Sequence, residues 1–362
     1  MYDFSLENAP QTEDTHIREL TALVSPHEVK EALPASAASI ATVLVGRGAV
    51  RATMSTGNTN RLTVISGPCS IHDVDAAMEY AEWLRAQRAE YGDQLEILMR
   101  MYFEKPRTTI GWKGLINDPD LNESYDITKG LHTARKLAAD ITNIGVPVAT
   151  EILDTMTPQY FAGLISWGAI GARTTESQLH RDLSSGLSFP VGFKNGTSGD
   201  VKVAVDAVIA AAHSHHFLAI TDEGKAAIAK TSGNPDCHVV LRGGSNGPNY
   251  SSKDVAATTA LLAEKGLRPV VLVDGSHANS GKNHKQQIEV IREVARQIGF
   301  GSTAVMGVMI ESNLIEGAQS FNPGGRHEYG KSITDACVGL DETAEMFQLL
   351  ASAVKIRRSN TF

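Results

Sequence analysis

The sequence predicts an α/β protein built on a (β/α)8 TIM barrel, with an N-terminal extension and an inserted β-hairpin. From residue 62 onwards, short apolar runs rich in Val and Ile alternate with longer amphipathic stretches. Near-continuous apolar strands separated by helices are typical of a parallel sheet covered on both faces. Eight such runs are present, and eight strands close a barrel. A doubly wound open sheet is the alternative, but no G-x-G-x-x-G follows the first strand.

The first 60 residues precede this alternation and are predicted to form a regulatory or oligomerisation extension. Residues 1–15 form a polar arm. A short helix opens at Ser25, because Ser is a good N-cap, Pro26 suits the first helical position, and Glu28 completes a capping box. A second helix is predicted over residues 36–45, with Gly46 close to its end.

Residues 61–362 are predicted to form the catalytic barrel. The predicted strands cover residues 62–66, 95–101, 146–151, 169–173, 190–194, 239–242, 270–274 and 305–311. Helices are predicted over residues 75–90, 130–143, 158–167, 200–212, 254–265 and 285–297. One segment, at about residues 214–234, interrupts the alternation. There, the apolar runs 217–220 and 226–230 flank a turn signal at Asp222-Glu223-Gly224, which predicts a β-hairpin.

Composition argues against several classes of protein, namely nucleic-acid-binding, membrane-spanning and disulfide-rich secreted proteins. The 362 residues carry 33 Lys and Arg against 41 Asp and Glu, a net charge of −8, which argues against general nucleic-acid binding. No apolar run approaches the roughly 20 residues of a membrane span. Residues 1–14 lack a signal-peptide core, and three cysteines do not suggest a disulfide framework. We therefore expect a cytoplasmic protein without a membrane or nucleic-acid partner.

The predicted strands all end at polar or metal-capable side chains. Chemistry in a barrel gathers at the carboxyl ends of its strands. Those ends hold Cys69, Arg100, Glu151, Arg173, Lys194, Arg242, His277 and Glu311. Any one of them could be a solvated strand end, but eight together predict a functional site.

Two chemical sets can be separated among these residues. The cations are Arg100, Arg173, Lys194 and Arg242, joined by Lys105 and Arg107 from a nearby loop. Such a group predicts a phosphorylated and carboxylated substrate, or a pair of substrates. The second set is Cys69, His277, Glu311 and Asp335. A mixed sulfur, nitrogen and oxygen donor set suits one divalent Mn, Fe, Co or Zn better than Mg or Ca.

Nine short segments stand in order along the chain: GPCSIHD (67–73), RMYFEKPRTT (100–109), GWKG (111–114), GARTTESQ (171–178), GFKNGT (192–197), LRGG (241–244), SHANS (276–280), MIES (309–312) and SITD (332–335). With these segments the chain resembles class I, aromatic-amino-acid-regulated, 3-deoxy-D-arabino-heptulosonate 7-phosphate (DAHP) synthases. The resemblance covers about residues 14–340.

The resemblance implies a transferase (EC 2.5.1.54) that condenses phosphoenolpyruvate with D-erythrose 4-phosphate and water, giving DAHP and phosphate. This is the first step of the shikimate route to chorismate and the aromatic amino acids. It implies a homotetramer or homodimer.

The resemblance also assigns site roles. A metal is held by Cys69, His277, Glu311 and Asp335, with Lys105, Cys69 and His277 as catalytic residues. Phosphoenolpyruvate is surrounded by Arg100, Lys105, Arg173, Lys194 and Arg242. Arg107 and Thr108 take the erythrose phosphate group, Glu151 helps to place a water, and Asp274 lies near the sugar hydroxyls. The proton for the new alkoxide comes from Lys105 or from a water on the metal.

The extension and the hairpin resemble those of members that are inhibited by an aromatic amino acid. The residues that match that effector pocket are Asp14, Ile152, Gln159, Ser188, Phe217 and Ala219. Phe, Tyr or Trp remain open as the effector, and the extra pieces could instead serve only subunit contacts.

Three other functions stay open at this point. A related synthase could use arabinose 5-phosphate, although the loop at residues 105–108 favours the shorter sugar. Lys194 could form a Schiff base in an aldolase. The chain could also be a catalytically silent metabolite-binding protein, against which the two intact residue sets argue.

Overall fold

The computed structural model describes residues 12–360, and eight parallel strands close into a barrel at its centre. The strands in the described part of the chain, in chain order, are β1 (Leu62–Gly67), β2 (Leu95–Arg100), β3 (Val148–Glu151), β4 (Ile165–Ile170), β5 (Val191–Lys194), β6 (His216–Ile220), β7 (Ala226–Lys230), β8 (Cys237–Leu241), β9 (Val271–Asp274), β10 (Val305–Glu311), β11 (Ile315–Ala318) and β12 (Lys331–Ser332). Strands β6, β7, β11 and β12 lie outside the barrel. The barrel order is β1-β10-β9-β8-β5-β4-β3-β2, with parallel neighbours throughout. The predicted barrel is confirmed.

Helices surround the barrel, as expected for a parallel sheet whose outer face must be covered. They are α1 (Pro26–Ala32), α2 (Ala37–Thr53), α3 (Val74–Tyr91), α4 (Ile127–Asn143), α5 (Pro158–Phe161), α6 (Gln178–Ser184), α7 (Lys202–Ala211), α8 (Ser252–Glu264), α9 (Gln287–Gly299) and α10 (Leu340–Ser359). The predicted capping box at the start of α1 is present, because Ser25 and Glu28 cap each other reciprocally. The polar arm predicted over residues 1–15 lies, up to residue 11, outside the described part of the chain.

Two predicted boundaries between residues 158 and 173 are wrong. The helix predicted over 158–167 ends at Phe161 and is followed by a 3-10 turn, Ala162–Leu164. Strand β4 then begins at Ile165, earlier than the predicted 169–173, and Trp167 lies inside the barrel opposite Ala149. The apolar residues of this stretch fit a helical period equally well, and only pairing with β3 and β5 decides between the two.

The prediction that helix 36–45 ends near Gly46 is also wrong, because α2 continues to Thr53. A Cβ on Gly46 would lie 2.7 Å from Cβ of Pro147 and 2.8 Å from Oγ of Ser166. Glycine is therefore present because the helix packs closely against the barrel, not because the helix ends there.

The barrel interior holds its own apolar cluster, distinct from the one beneath the outer helices. Its strand residues include Ile65, Leu98 and Leu272, and the end of the extension adds Val50 of α2 and Met54, which caps that helix. Thr53 of α2 also hydrogen-bonds Thr63 of β1, with 2.7 Å between the hydroxyl oxygens. The extension thus completes the packing of the barrel.

The predicted hairpin is present, and it packs against the extension. Strands β6 and β7 pair antiparallel. At the turn, the Asp222 carbonyl accepts a hydrogen bond from the His27 amide at 2.7 Å, and the Asp222 carboxylate pairs with Lys30 at 2.5 Å. Upstream, the Tyr160 hydroxyl donates to the Val24 carbonyl at 2.7 Å. Segment 24–30 therefore joins the hairpin to α5.

Within residues 12–360, no single helix is long and apolar enough to cross a membrane. Helices α1 and α2 reach that length and composition only as a pair, with a bend of 118° between them.

Candidate active site

A cavity of about 870 Å³ opens at the carboxyl ends of the barrel strands. All six predicted cations line it: Arg100, Lys105, Arg107, Arg173, Lys194 and Arg242. Thr108, Glu151, His277, Glu311 and Asp335 also line the cavity. Arg100, Glu151, Lys194 and Glu311 are the last residues of β2, β3, β5 and β10. The parallel strands therefore bring together side chains that are far apart in sequence.

Three of the predicted metal ligands lie together. One donor atom from each of Cys69, Glu311 and Asp335 lies within 4.8 Å of the other two. Glu311 is held in place, because Ser276 donates to its Oε2 at 2.7 Å and Arg100 pairs with its Oε1 at 2.8 Å. A thiol and two carboxylates in this arrangement fit a divalent metal of intermediate softness.

His277 lies beside this group and not inside it. Its Nε2 is 3.9 Å from Oε1 of Glu311, and its Nδ1 is 2.9 Å from Oδ2 of Asp274. A carboxylate on one ring nitrogen is how metal-binding histidines are usually oriented. The backbone of His277 is left-handed, with φ of 57°, so it belongs to a tight turn beyond the end of β9.

The thiol of Cys69 is fully buried. Burial and the nearby Glu311 carboxylate raise the pKa of Cys69 to about 11. A metal that binds the sulfur must therefore displace a proton. The Nζ of Lys105 lies 2.7 Å from this sulfur and 3.0 Å from Oδ2 of Asp335. Burial opposes the charge on Lys105, but Cys69, Glu311 and Asp335 raise its pKa above the ordinary value.

The cations divide into two kinds. Arg100, Lys105 and Lys194 each pair with a carboxylate of the barrel, Lys194 with Asp274 at 2.9 Å. Among the residues that the structure describes, Arg107, Arg173 and Arg242 have no carboxylate within 4.0 Å.

The three arginines without a carboxylate partner leave excess positive charge at the cavity. Burial and the like charge of Arg173 lower the pKa of Arg242 from its ordinary value. Arg173 donates to the hydroxyl of Thr108 at 3.2 Å, which joins the two sides of the cavity mouth. The uncompensated guanidinium groups favour a polyanionic ligand.

Asp274 is fully buried, behind Lys194 and His277. Burial alone would raise the pKa of Asp274, but His277 and Lys194 outweigh it and hold the pKa well below the ordinary value. The carboxylate therefore stays ionised and orients both partners.

Glu151 is placed by a close backbone approach. A Cβ on Gly171 would overlap with Oε1 of Glu151, so a side chain at position 171 would displace this carboxylate. Two supporting residues are not predicted from the sequence. Ser276 holds Glu311, and the buried Tyr102 ring lies 3.6 Å beneath the Arg100 guanidinium. Both stand inside the quoted segments, but no spacing distinguishes them.

The predicted effector residues lie on separate elements. Ile152 is buried after β3, and Gln159 is exposed on α5. Phe217 and Ala219 are half-buried on one face of β6. Asp14 and Ser188 are exposed, and Asp14 has a left-handed φ of 55°.

Comparisons with known proteins agree on one family. The model of the DAHP synthetase I family matches residues 34–348. The Phe-sensitive phospho-2-dehydro-3-deoxyheptonate aldolase of Escherichia coli K12 is 54% identical over 348 residues, which are 96% of this chain and 99% of that protein. A tyrosine-inhibited aldolase of Schizosaccharomyces pombe is 49% identical, covering 96% and 94%. The solved structure of the Francisella tularensis SCHU S4 aldolase has a TM-score of 0.92 at 50% identity, covering 94% and 99%.

Proposed function

The chain belongs to the DAHP synthetase I family, and we propose on that premise that its barrel condenses phosphoenolpyruvate with D-erythrose 4-phosphate and water to give DAHP and phosphate. The observation that carries the proposal is the cavity, where the six predicted cations lie beside a Cys, Glu and Asp group. Both substrates are phosphorylated, and one is also a carboxylate, so their charges match this lining.

The cations bind and orient the substrates. Arg173, Lys194 and Arg242 hold the carboxylate and phosphate of phosphoenolpyruvate, while Arg107 and Thr108 hold the phosphate of the aldose. Fixing both reactants in one geometry removes much of the entropic barrier to a bimolecular step. The cations also neutralise the enol phosphate while charge develops.

The bond changes follow from the substrates. C3 of phosphoenolpyruvate forms a bond with the aldehyde carbon, and the aldehyde oxygen takes a proton. Water, directed by Glu151, adds at C2 and gives up one proton, which replaces the proton taken by the aldehyde oxygen. The new C2 hydroxyl then loses its proton to the departing phosphate as the bond from C2 to the bridging oxygen breaks, so that C2 becomes a ketone and inorganic phosphate is released.

One divalent metal, Mn, Fe, Co or Zn, would be held by Cys69, Glu311 and Asp335 with His277. When bound, it acts as a Lewis acid on the aldehyde. The Lys105 ammonium, 2.7 Å from the sulfur of Cys69, would supply the proton that the aldehyde oxygen takes.

The test is consumption of phosphoenolpyruvate with release of phosphate, with and without EDTA. We expect metal-dependent turnover with erythrose 4-phosphate and little with arabinose 5-phosphate. Turnover only with the five-carbon sugar would assign the chain to the related synthase, and no turnover with either aldose would refute the proposal.

We further propose inhibition by an aromatic amino acid, sensed by Asp14, Ile152, Gln159, Ser188, Phe217 and Ala219. In support, segment 24–30 contacts both the hairpin that carries Phe217 and the helix that carries Gln159. The related proteins include both Phe-sensitive and tyrosine-inhibited forms. If millimolar Phe, Tyr and Trp all leave the rate unchanged, the extension and the hairpin serve subunit contacts only.

We propose that the chain is cytoplasmic and forms a homodimer or homotetramer through these additions. Leu218 and Ile228 lie opposite each other on the hairpin and are 85% and 74% exposed. On α2, Leu44 and Val45 are also exposed. Clustered exposed apolar side chains indicate a covered surface. Light scattering should give two or four chain masses, and a single chain mass would exclude this.

A further inference from the structure

Glu104 is a buried carboxyl group for which the condensation chemistry above has no use. Its side chain is 4% exposed, and it does not line the cavity, although the next residue, Lys105, does. The segment that follows β2 has no regular secondary structure here. Glu104 therefore lies buried behind the cavity wall, whereas its neighbour Lys105 faces the cavity.

The carboxyl group of Glu104 reaches the loop that follows β3. The Thr157 hydroxyl donates to its Oε2 at 3.1 Å. That loop is itself fixed, because the Asp154 carboxylate accepts hydrogen bonds from the amides of Met156 at 2.6 Å and Thr157 at 3.0 Å. Glu104 thus contacts a preformed turn.

The other side of the segment is held by the backbone. The Lys105 amide donates to the Lys113 carbonyl at 2.8 Å. A Cβ on Gly114, whose φ is +115°, would lie 2.7 Å from Cα of Glu104, so the two chains pack at backbone distance. Within the described residues, positions 106–112 make no backbone–backbone hydrogen bond. The direction of Arg107 and Thr108 consequently depends on how residues 103–105 are fastened.

A carboxyl group is a costly choice for this position. Burial and the neighbouring Asp154 raise the pKa of Glu104 to about 7. An apolar side chain would avoid that cost. The hydrogen bond from Thr157, which an apolar side chain could not accept, accounts for a polar side chain at this position.

We propose that Glu104 is a positioning residue for the condensation: it fastens residues 103–105 to the turn at Asp154–Thr157 and so aims Lys105, Arg107 and Thr108 at the cavity. The proposal rests on the proposed function. It differs from a purely structural role because it predicts a selective effect on one substrate. The aldose phosphate depends on Arg107 and Thr108, whereas phosphoenolpyruvate is also held by Arg173, Lys194 and Arg242, which lie in other parts of the barrel.

The experiment compares steady-state kinetics of the wild type, Glu104→Ala, Glu104→Gln and Thr157→Val. Gln keeps an oxygen that accepts hydrogen bonds, and Val at 157 removes the donor with little change in shape. We expect Glu104→Ala and Thr157→Val to raise KM for erythrose 4-phosphate by about tenfold and to lower kcat by a similar factor, since small misplacements of reacting groups cost that much or more. KM for phosphoenolpyruvate should change by less than about twofold, and Glu104→Gln should stay within about threefold of the wild type.

Glu264→Ala, on the outer helix α8 with a side chain 68% exposed, is the control and should match the wild type. If Glu104→Ala does not fold, Thr157→Val tests the same hydrogen bond. Three results would each overturn the positioning role. The first is an equal change in KM for erythrose 4-phosphate and for phosphoenolpyruvate, and the second is a fall in kcat alone that is proportional to the fraction of folded protein. The third is a Glu104→Gln variant whose kinetics are as impaired as those of Glu104→Ala. A wild type without turnover would instead refute the proposed function, so the two failures are distinguishable.

Discussion

The Nζ of Lys105 lies 2.7 Å from the Sγ of Cys69. An ammonium group therefore stands among the donor atoms that would hold a divalent metal. A metal held by these atoms would lie close to the ammonium, and even unit charges of like sign about 4 Å apart repel by about 4 kcal/mol at the effective dielectric of a protein surface. The lysine thus weakens the metal site that it serves.

Lys105→Met should bind Mn²⁺ at least about tenfold more tightly than the wild type, because the repelling charge is gone while the stem of the side chain remains. Turnover should fall by about a hundredfold or more, since the proton donor is lost. Calorimetric titration with Mn²⁺ measures the first effect independently of activity. Lys136→Met, at an exposed site on α4, is the control. Unchanged or weaker Mn²⁺ binding in Lys105→Met would contradict the repulsion.

Cys69→Ala should abolish metal-dependent turnover and leave the protein folded, because the change removes one ligand and only a single sulfur from the packing. Circular dichroism checks the fold, and Mn²⁺ titration checks the site. EDTA should abolish turnover by the wild type, and added divalent metal should restore that turnover. Full activity in Cys69→Ala would remove this cysteine from the ligand set.

Glu104→Gln should change how stability depends on pH. The pKa of Glu104 is raised from 4.5 to about 7 in the folded chain, so the folded state holds its proton more tightly than the unfolded state. Its contribution is fully present below about pH 4.5 and is lost as the pH rises through about 7. The free energy of unfolding of the wild type, relative to Glu104→Gln, should fall by about 3 kcal/mol over that interval. Urea unfolding at several pH values measures this, and a constant difference between the two proteins would show that the carboxyl titrates normally.

Gly46→Ala and Gly48→Ala should have opposite effects, although both lie in α2. A methyl group on Gly46 meets Pro147 and Ser166 below 3 Å, whereas nothing lies within 4 Å of one on Gly48. We expect a loss of about 1–3 kcal/mol for the first and a gain of about 0.5–1 kcal/mol for the second. Thermal unfolding compares them. Equal shifts would mean that α2 does not press on the barrel.

Borohydride should trap no substrate adduct on Lys194. A Schiff base needs a neutral amine, and the Lys194 ammonium is buried against the Asp274 carboxylate at 2.9 Å. Mass spectrometry after reduction with phosphoenolpyruvate, or with either aldose, should show the unmodified chain mass. A stable adduct at Lys194 would favour the aldolase alternative.

The fold was largely predictable because strands of a parallel barrel are buried on both faces and read as unbroken apolar runs. The wrong predictions occur where an apolar run fits a helix as well as a strand, or where a glycine has more than one explanation. The stretch from Pro158 to Ile170 suits a helix or a strand, and pairing with β3 decides. Gly46 resembles a helix end because the contact that excludes a side chain comes from residues about 100 positions away.

The candidate site was predictable where charge sits at a strand end, as for Arg100 and Lys194. The sequence does not show which carboxylate forms an ion pair with which cation. Glu311, Asp335 and Asp274 pair with half of the six predicted cations, which leaves three arginines of that set without a carboxylate partner. Glu104 stands inside the segment 100–109, but nothing in the sequence distinguishes it, because its proposed role depends on Thr157, which lies 53 residues away.

Closure of the barrel sets an order of events during synthesis. Strand β1 pairs with β10, so residues 63–67 must find residues 307–311, and no earlier pairing can substitute. Contacts this distant in sequence form slowly. A ribosome must release most of the chain before the barrel can close and the sheet loses its two open edges. Until then, β1 and the most recently formed strand expose unpaired backbone N–H and C=O groups. Truncation before β10 should therefore yield an aggregating fragment and not a smaller enzyme.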